Sequence, residues 1–188
     1  MPTAIENKLY EPSRELNFQA GILPLDAFYK ALLLNLGYTH YYASYSGWEI
    51  FNASVAFSTE TSLRDDLRNN FSVRESRYLD YVKYTVSTNY VYTPIYNKNL
   101  WFNEKVVHGE ISFVGGGGMA AFKSGKTAPM AGGGVILRFF SSDRWSYKFD
   151  NRIYYHAESG MNTNFILSLS VGLSYDFDPG GKERRRMK

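Results

Sequence analysis

The 188-residue sequence predicts an all-β fold, an eight-stranded antiparallel up-and-down transmembrane β-barrel, on three observations. Apolar residues alternate with small or polar ones through eight separate segments, which in an extended chain sends them to opposite faces. Aromatic residues make up 17% of the chain, with 16 Tyr, 13 Phe and 3 Trp beside 16 Gly, as expected of a barrel ringed by interfacial girdles. Mean hydropathy is −0.34, and no run approaches the roughly 20 apolar residues that a spanning helix needs. Alternating strands lower such an average without losing a membrane-facing side.

Strand one is expected over 16–23, with Phe18, Ala20 and Ile22 on its apolar face. Strand two, over 30–42, sets Leu32, Leu34, Leu36, Tyr38 and His40 against Leu33, Asn35, Gly37 and Thr39. Strand three, over 48–59, sets Phe51, Ala53, Val55 and Phe57 against Asn52, Ser54, Ala56 and Ser58. In strand four, over 81–93, Val82, Tyr84, Val86, Thr88, Tyr90 and Tyr92 oppose Lys83, Thr85, Ser87 and Asn89. Strand five, over 106–122, opposes Val107, Ile111 and Phe113 to His108, Glu110 and Ser112, then enters a glycine run. Strand six, over 130–140, opposes Val135, Leu137 and Phe139 to Gly132, Gly134 and Arg138. Strand seven, over 145–156, carries Trp145, Tyr147, Phe149, Ile153 and Tyr155 opposite Ser146, Lys148, Asp150, Arg152 and His156. Strand eight is NFILSLSVGLSYDF, 164–177, with seven apolar residues at alternate positions and mostly small or polar ones between.

An even number of antiparallel strands closes without a free edge, and eight is the smallest usual closure in lipid. The links SYSG and SSDR are tight, whereas 60–79 is long and polar, which assigns the tight links and both termini to the periplasmic side. On that assignment Trp48, Tyr90, Tyr92, Trp101, Trp145, Tyr175 and Phe177 converge on one interface as an aromatic girdle. The chain divides into a periplasmic segment 1–15, a barrel 16–177 and a basic periplasmic tail 178–188. MPTAIENKLYEPSREL has no charged n-region followed by an apolar core, so the expected chain is a mature one.

A net charge of +3 and the absence of a basic face argue against nucleic-acid binding. The absence of cysteine removes disulfides, thiolate metal sites and cysteine nucleophiles. No cofactor or metal site is expected, since His40 and His108 lie on different strands without ligand spacing.

Ser170, Gly172, Tyr175 and Phe177 resemble the C-terminal β-signal of bacterial outer-membrane proteins, although DPGGKERRRMK follows them. With PIYNK (94–98), the glycine runs 115–118 and 132–134 and the final strand, the sequence from 16 to 177 resembles the outer-membrane β-barrel domain family of myxobacteria and related predatory bacteria. The resemblance implies fold and an outer-membrane location, and carries no general enzymatic activity. Expected partners are outer-membrane lipid and lipopolysaccharide, the barrel-assembly machinery and, beyond these, another envelope protein.

Inside a closed barrel, Lys83, His108, Glu110, Arg138, Lys148, Asp150, Arg152 and Asp176 would face a lumen about wide enough for side chains alone. Charges of both signs there should pair, because an unpaired buried charge is very costly. Two functions follow, a plug that stiffens the wall or a narrow ion path, and the plug is the expectation because barrels of this size are filled by their side chains. His156, Glu158 and Ser159 supply the ingredients of a lipid-modifying esterase, but without the His-x-Ser-Asn order of lipid A deacylases. SLRDDLRNNF, 62–71, has helical spacing and reads as a short loop helix. Gly109, Gly115, Gly117 and Gly133 fall on the outer face, where they ease coiling or leave shallow grooves. A soluble lipocalin-like binder would instead turn its apolar face inward.

Overall fold

The computed structural model describes residues 8–24, 29–60, 81–101, 105–157 and 165–179. They form eight strands, β1 (Arg14–Pro24), β2 (Tyr29–Ala43), β3 (Ser46–Glu60), β4 (Val82–Trp101), β5 (Lys105–Phe122), β6 (Thr127–Phe140), β7 (Trp145–His156) and β8 (Phe165–Asp176). Each pairs antiparallel with its neighbour in sequence, and β1 pairs with β8 to close the barrel. No helix lies among the described residues, and 62–71 falls outside them.

Alternation sets the direction of every side chain. In β7 the pattern exposed–buried repeats without interruption, so Ser146, Lys148, Asp150, Arg152, Tyr154 and His156 point inward. Phe18, Leu32, Phe57, Tyr147 and Phe165 are each more than half exposed on the outside. An apolar exterior around a polar interior reverses the arrangement of a soluble barrel, and only hydrocarbon solvates such an exterior well. This is a membrane-spanning barrel of the outer-membrane type, and the lipocalin-like alternative is excluded by which face is apolar.

One rim carries the tight links, residues 44–45 and 141–144, together with both ends of the described chain; the opposite rim carries the ends of β1, β3 and β7 and the tight turn 123–126 between β5 and β6. Two features depart from simple alternation. The first is a set of bulges: the β2–β3 register steps from Tyr38↔Phe51 to Thr39↔Glu49 and the β4–β5 register from Val82↔Phe122 to Tyr84↔Ala121, with further shifts between Tyr41 and Ala43 in β2 and between Tyr92 and Ile95 in β4. The second is the reach of β4 and β5, whose ladder continues from Ile95↔Ile111 to Trp101↔Lys105, past the last β3–β4 pair at Ser46↔Tyr92. The sequence places a connection after Thr93, whereas the chain stays paired as a projecting hairpin.

Residues 8–13 lie across the tight-link rim. The Lys8 ammonium donates to the Ser44 carbonyl (2.6 Å), the Leu9 amide to the Tyr96 hydroxyl (3.3 Å), and the Tyr10 ring stacks on Phe140 at 5.0 Å. The amides of Ser13 and Arg14 donate to the Asp176 carboxylate at 2.8 and 3.3 Å, and the Phe177 amide donates to the Arg14 carbonyl, which latches the β1–β8 seam.

Glycine sets how closely the strands coil. A Cβ on Gly132 would strike the Ile153 carbonyl oxygen and sit 2.7 Å from the Tyr154 Cα, whereas one on the outward Gly115 would meet nothing nearer than 3.8 Å. Gly132→Ala is therefore expected to destabilise the barrel by about 1–3 kcal/mol, as overpacking does, while Gly115→Ala stays within about 0.5 kcal/mol of the wild type. Urea unfolding followed by heat-dependent gel migration measures both, and equal effects would show that the inward glycines are not what sets the strand approach.

Candidate functional site

The lumen is the candidate site, and it is filled in layers. Nearest the tight-link rim, Glu110, Arg138 and Lys148 occupy one row across β5, β6 and β7, in direct register. Arg138 Nη1 donates to Glu110 Oε2 (3.0 Å), and its Nη2 donates to Glu15 Oε2 (2.5 Å) and the Tyr41 hydroxyl (2.5 Å). Lys148 pairs with Glu15 and donates to Asn17 Oδ1 (2.8 Å), which also accepts from the Ser174 hydroxyl (2.7 Å). Lys8, from the segment across the rim, adds an ion pair to Glu110 at 3.3 Å.

The second cluster is built around Arg152. Its Nη1 and Nη2 donate to Glu49 at 2.6 and 3.0 Å, and its Nε and Nη2 donate to Asp150 at 2.7 and 2.6 Å. Asn89 and Asn52 complete the Glu49 carboxylate at 2.6 and 3.0 Å. Bidentate pairs of this kind fix geometry as well as charge. Arg138, Arg152, Glu15, Glu49 and Asp150 are all at most 3% exposed, so these charges are desolvated, and each faces a group of opposite sign, with Arg152 shared by the two carboxylates of its cluster.

Toward the opposite rim the interior turns apolar. Leu23, Leu33, Val82, Phe122, Met130 and Ile166 belong to one buried cluster that seals that end of the lumen. Val91, Val114 and Ile136 make a smaller one against Tyr41. A void of about 10 Å³ beside Glu15 and Arg138, beneath Tyr10 and Pro12, is at the lower limit for one water.

Of the residues assigned to the lumen by sequence, Glu110, Arg138, Lys148, Asp150 and Arg152 join the two clusters. Asp176 is buried but bonds backbone amides at the seam. Lys83 is exposed at the β4 bulge, with its ammonium 5.2 Å from the Tyr84 ring, because the extra residue turns it out of the lumen and turns Val82 in. His108 keeps the inward parity but lies beyond the barrel, where β5 has outrun β6, against Tyr10 (5.3 Å) and Tyr96 (5.9 Å). Glu15 and Glu49, central to the two clusters, were not expected from the sequence.

His156 ends β7 at the rim opposite the tight links, with its side chain turned inward. It is 2% exposed, beside the Phe122 ring at 5.2 Å, and Glu158 and Ser159 lie outside the described residues. No cluster of three or more metal-ligating His, Asp or Glu occurs among the described residues.

On the outside, Trp48 pairs with Tyr90 across β3–β4, donates its indole N–H to Thr88 (2.9 Å), and shares the tight-link end with Tyr92. Trp145 and Tyr175 meet edge-to-face at 4.9 Å, and Tyr175 and Phe177 at 5.2 Å. Trp101 ends β4, at the tip of the projecting hairpin, and its side chain lies outside the described residues. In the C-terminal pattern, Ser170 points inward and donates to Gln19 (2.9 Å), Gly172 passes the β1 backbone, and Tyr175 and Phe177 belong to the girdle end.

No protein-family model and no curated protein matches this sequence. Among solved structures, the chain is similar in shape to the outer membrane enzyme PagL, with 12% identity over 85% of this chain and 97% of that one, at a TM-score of 0.42. It is similar as well to a major outer membrane protein from Thermus thermophilus, with 12% identity over 88% and 100% and a TM-score of 0.45. Neisserial surface protein A (NspA) gives 9% identity over 90% and 98%, and a TM-score of 0.41.

Proposed function

We propose that this protein is a non-conducting barrel of the bacterial outer membrane that serves as a structural or anchoring component of the envelope. The observation that carries this reading is the filled lumen: two ion-paired clusters, a buried apolar seal toward one rim and residues 8–13 across the other. In such a barrel the exterior binds lipid, the interior holds the wall rigid, and the rims and tails meet other envelope components. The likeness to the myxobacterial barrel family rests on PIYNK, the glycine runs and the final strand, and bears on fold and location alone. Catalysis is no part of the proposal, since His156 is enclosed by its own barrel.

Planar-bilayer recording of the detergent-folded protein tests it. Folded protein, identified by its heat-dependent migration, is expected to give no discrete conductance steps. Reproducible steps from the wild type that change with Glu110→Ala would make the lumen a pore and end the plug reading.

A further inference from the structure

We propose that a notch in the tight-link rim, between the projecting end of β5 and the outer faces of β6 and β7, holds one acyl chain of a glycerophospholipid from the periplasm-facing leaflet. The inference rests on the membrane reading above and gives the outer surface a specific lipid site.

The notch follows from strand length. The β5–β6 ladder begins only at Gly109↔Phe139, while β5 starts at Lys105 and stays paired with β4 down to Trp101↔Lys105. β6 therefore stops short beside an uncovered length of β5. The space left there is a cavity of about 470 Å³, with Val106 and Val107 on one wall and Phe139, Tyr147 and Phe149 on the other. Its inner end is closed by Phe140 under the stacked Tyr10 ring, with His108 beside them.

Three features select the occupant. Tyr147 and Phe149, 53% and 45% exposed, belong to the lipid-facing surface, so the notch opens directly into hydrocarbon. Aliphatic and aromatic carbon makes up most of the lining, with His108, Ser141 and the tyrosine hydroxyls as its polar groups, and an empty notch would forfeit dispersion contacts along both walls. The notch also sits at the girdle level, beside Trp145 and the turn 141–144, where a lipid's head group and the start of its chain lie. A chain there touches protein on two sides, whereas a lipid on the open face touches it on one, so it is the chain expected to survive delipidation.

The test is native mass spectrometry of the full chain, reconstituted in phosphatidylethanolamine–phosphatidylglycerol vesicles, then extracted and washed in mild detergent. The expected result is a single retained phospholipid per barrel, with the bound fraction falling about tenfold in Val106→Trp, which fills the notch from its exposed wall. Phe18→Trp, on the open face of β1, should leave retention unchanged. Folded wild type without retained phospholipid, retention equal in Val106→Trp, or preferential retention of lipid A offered alongside would each overturn the site. Those outcomes differ from failure of the membrane reading, which would appear as protein that stays soluble and outside the vesicles.

Discussion

Arg152→Leu is expected to lower the stability of the barrel by about 3–5 kcal/mol, the largest effect of any single substitution in the lumen. Arg152 is the ion-pair partner that Glu49 and Asp150 share, and the other groups on Glu49 are the neutral amides of Asn52 and Asn89. Losing the guanidinium leaves two carboxylates of like sign in a site that excludes water. Arg138→Leu should cost less, because Lys148 still faces Glu15 and Lys8 still faces Glu110. The combination Glu49→Gln, Asp150→Asn and Arg152→Leu should recover most of the loss, since it is the uncompensated charge that destabilises rather than the absent pair. Urea titration monitored by heat-dependent migration gives all three values. An Arg152→Leu barrel within about 0.5 kcal/mol of the wild type would mean that water reaches the second cluster, contrary to a closed lumen.

The second large effect belongs to the outer face. Leu169 stands halfway along β8 and points outward, so Leu169→Arg places a cation in mid-hydrocarbon and should cost about 2–4 kcal/mol. Trp145→Arg, at the rim in the girdle, should cost about 0–1 kcal/mol because the guanidinium reaches head groups. The contrast requires lipid vesicles, and its disappearance in a micelle without a defined midplane is part of the expectation. Equal costs in vesicles would displace the membrane from the belt that the exposed residues mark.

Strand number, order and facing were legible because period-two alternation is a local property of each segment, and β7 and β8 show it with little interruption. The errors trace to places where the period slips. Glu49 shares sequence parity with the outward Phe51, and only the extra residue Ile50 in the β3 bulge returns it to the lumen. The same device at the start of β4 exchanges Val82 for Lys83. Glu15 lay one residue before the expected start of strand one, and β1 begins at Arg14 because residues 13 and 14 are held by Asp176, more than 160 residues away in sequence. The apolar seal of Leu23, Leu33, Phe122, Met130 and Ile166 was hidden for a different reason: composition along one strand cannot reveal that inward residues of several strands meet at a common height.

The latch between residues 13 and 14 and Asp176 bears on the order in which the barrel forms. Seven of the eight ladders join strands that are consecutive in the chain, so each can zip as soon as its own hairpin exists. The β1–β8 ladder must wait for the last strand, and until then β1 and β8 both offer open backbone edges to any other chain. Loop-closure entropy grows only logarithmically with length, so drawing these distant ends together costs about 3 kcal/mol more than forming a short hairpin. The delay weighs on the folding rate more than on the final equilibrium, and the carboxylate that fastens the seam arrives on the last strand, where it slows reopening once the ring has closed.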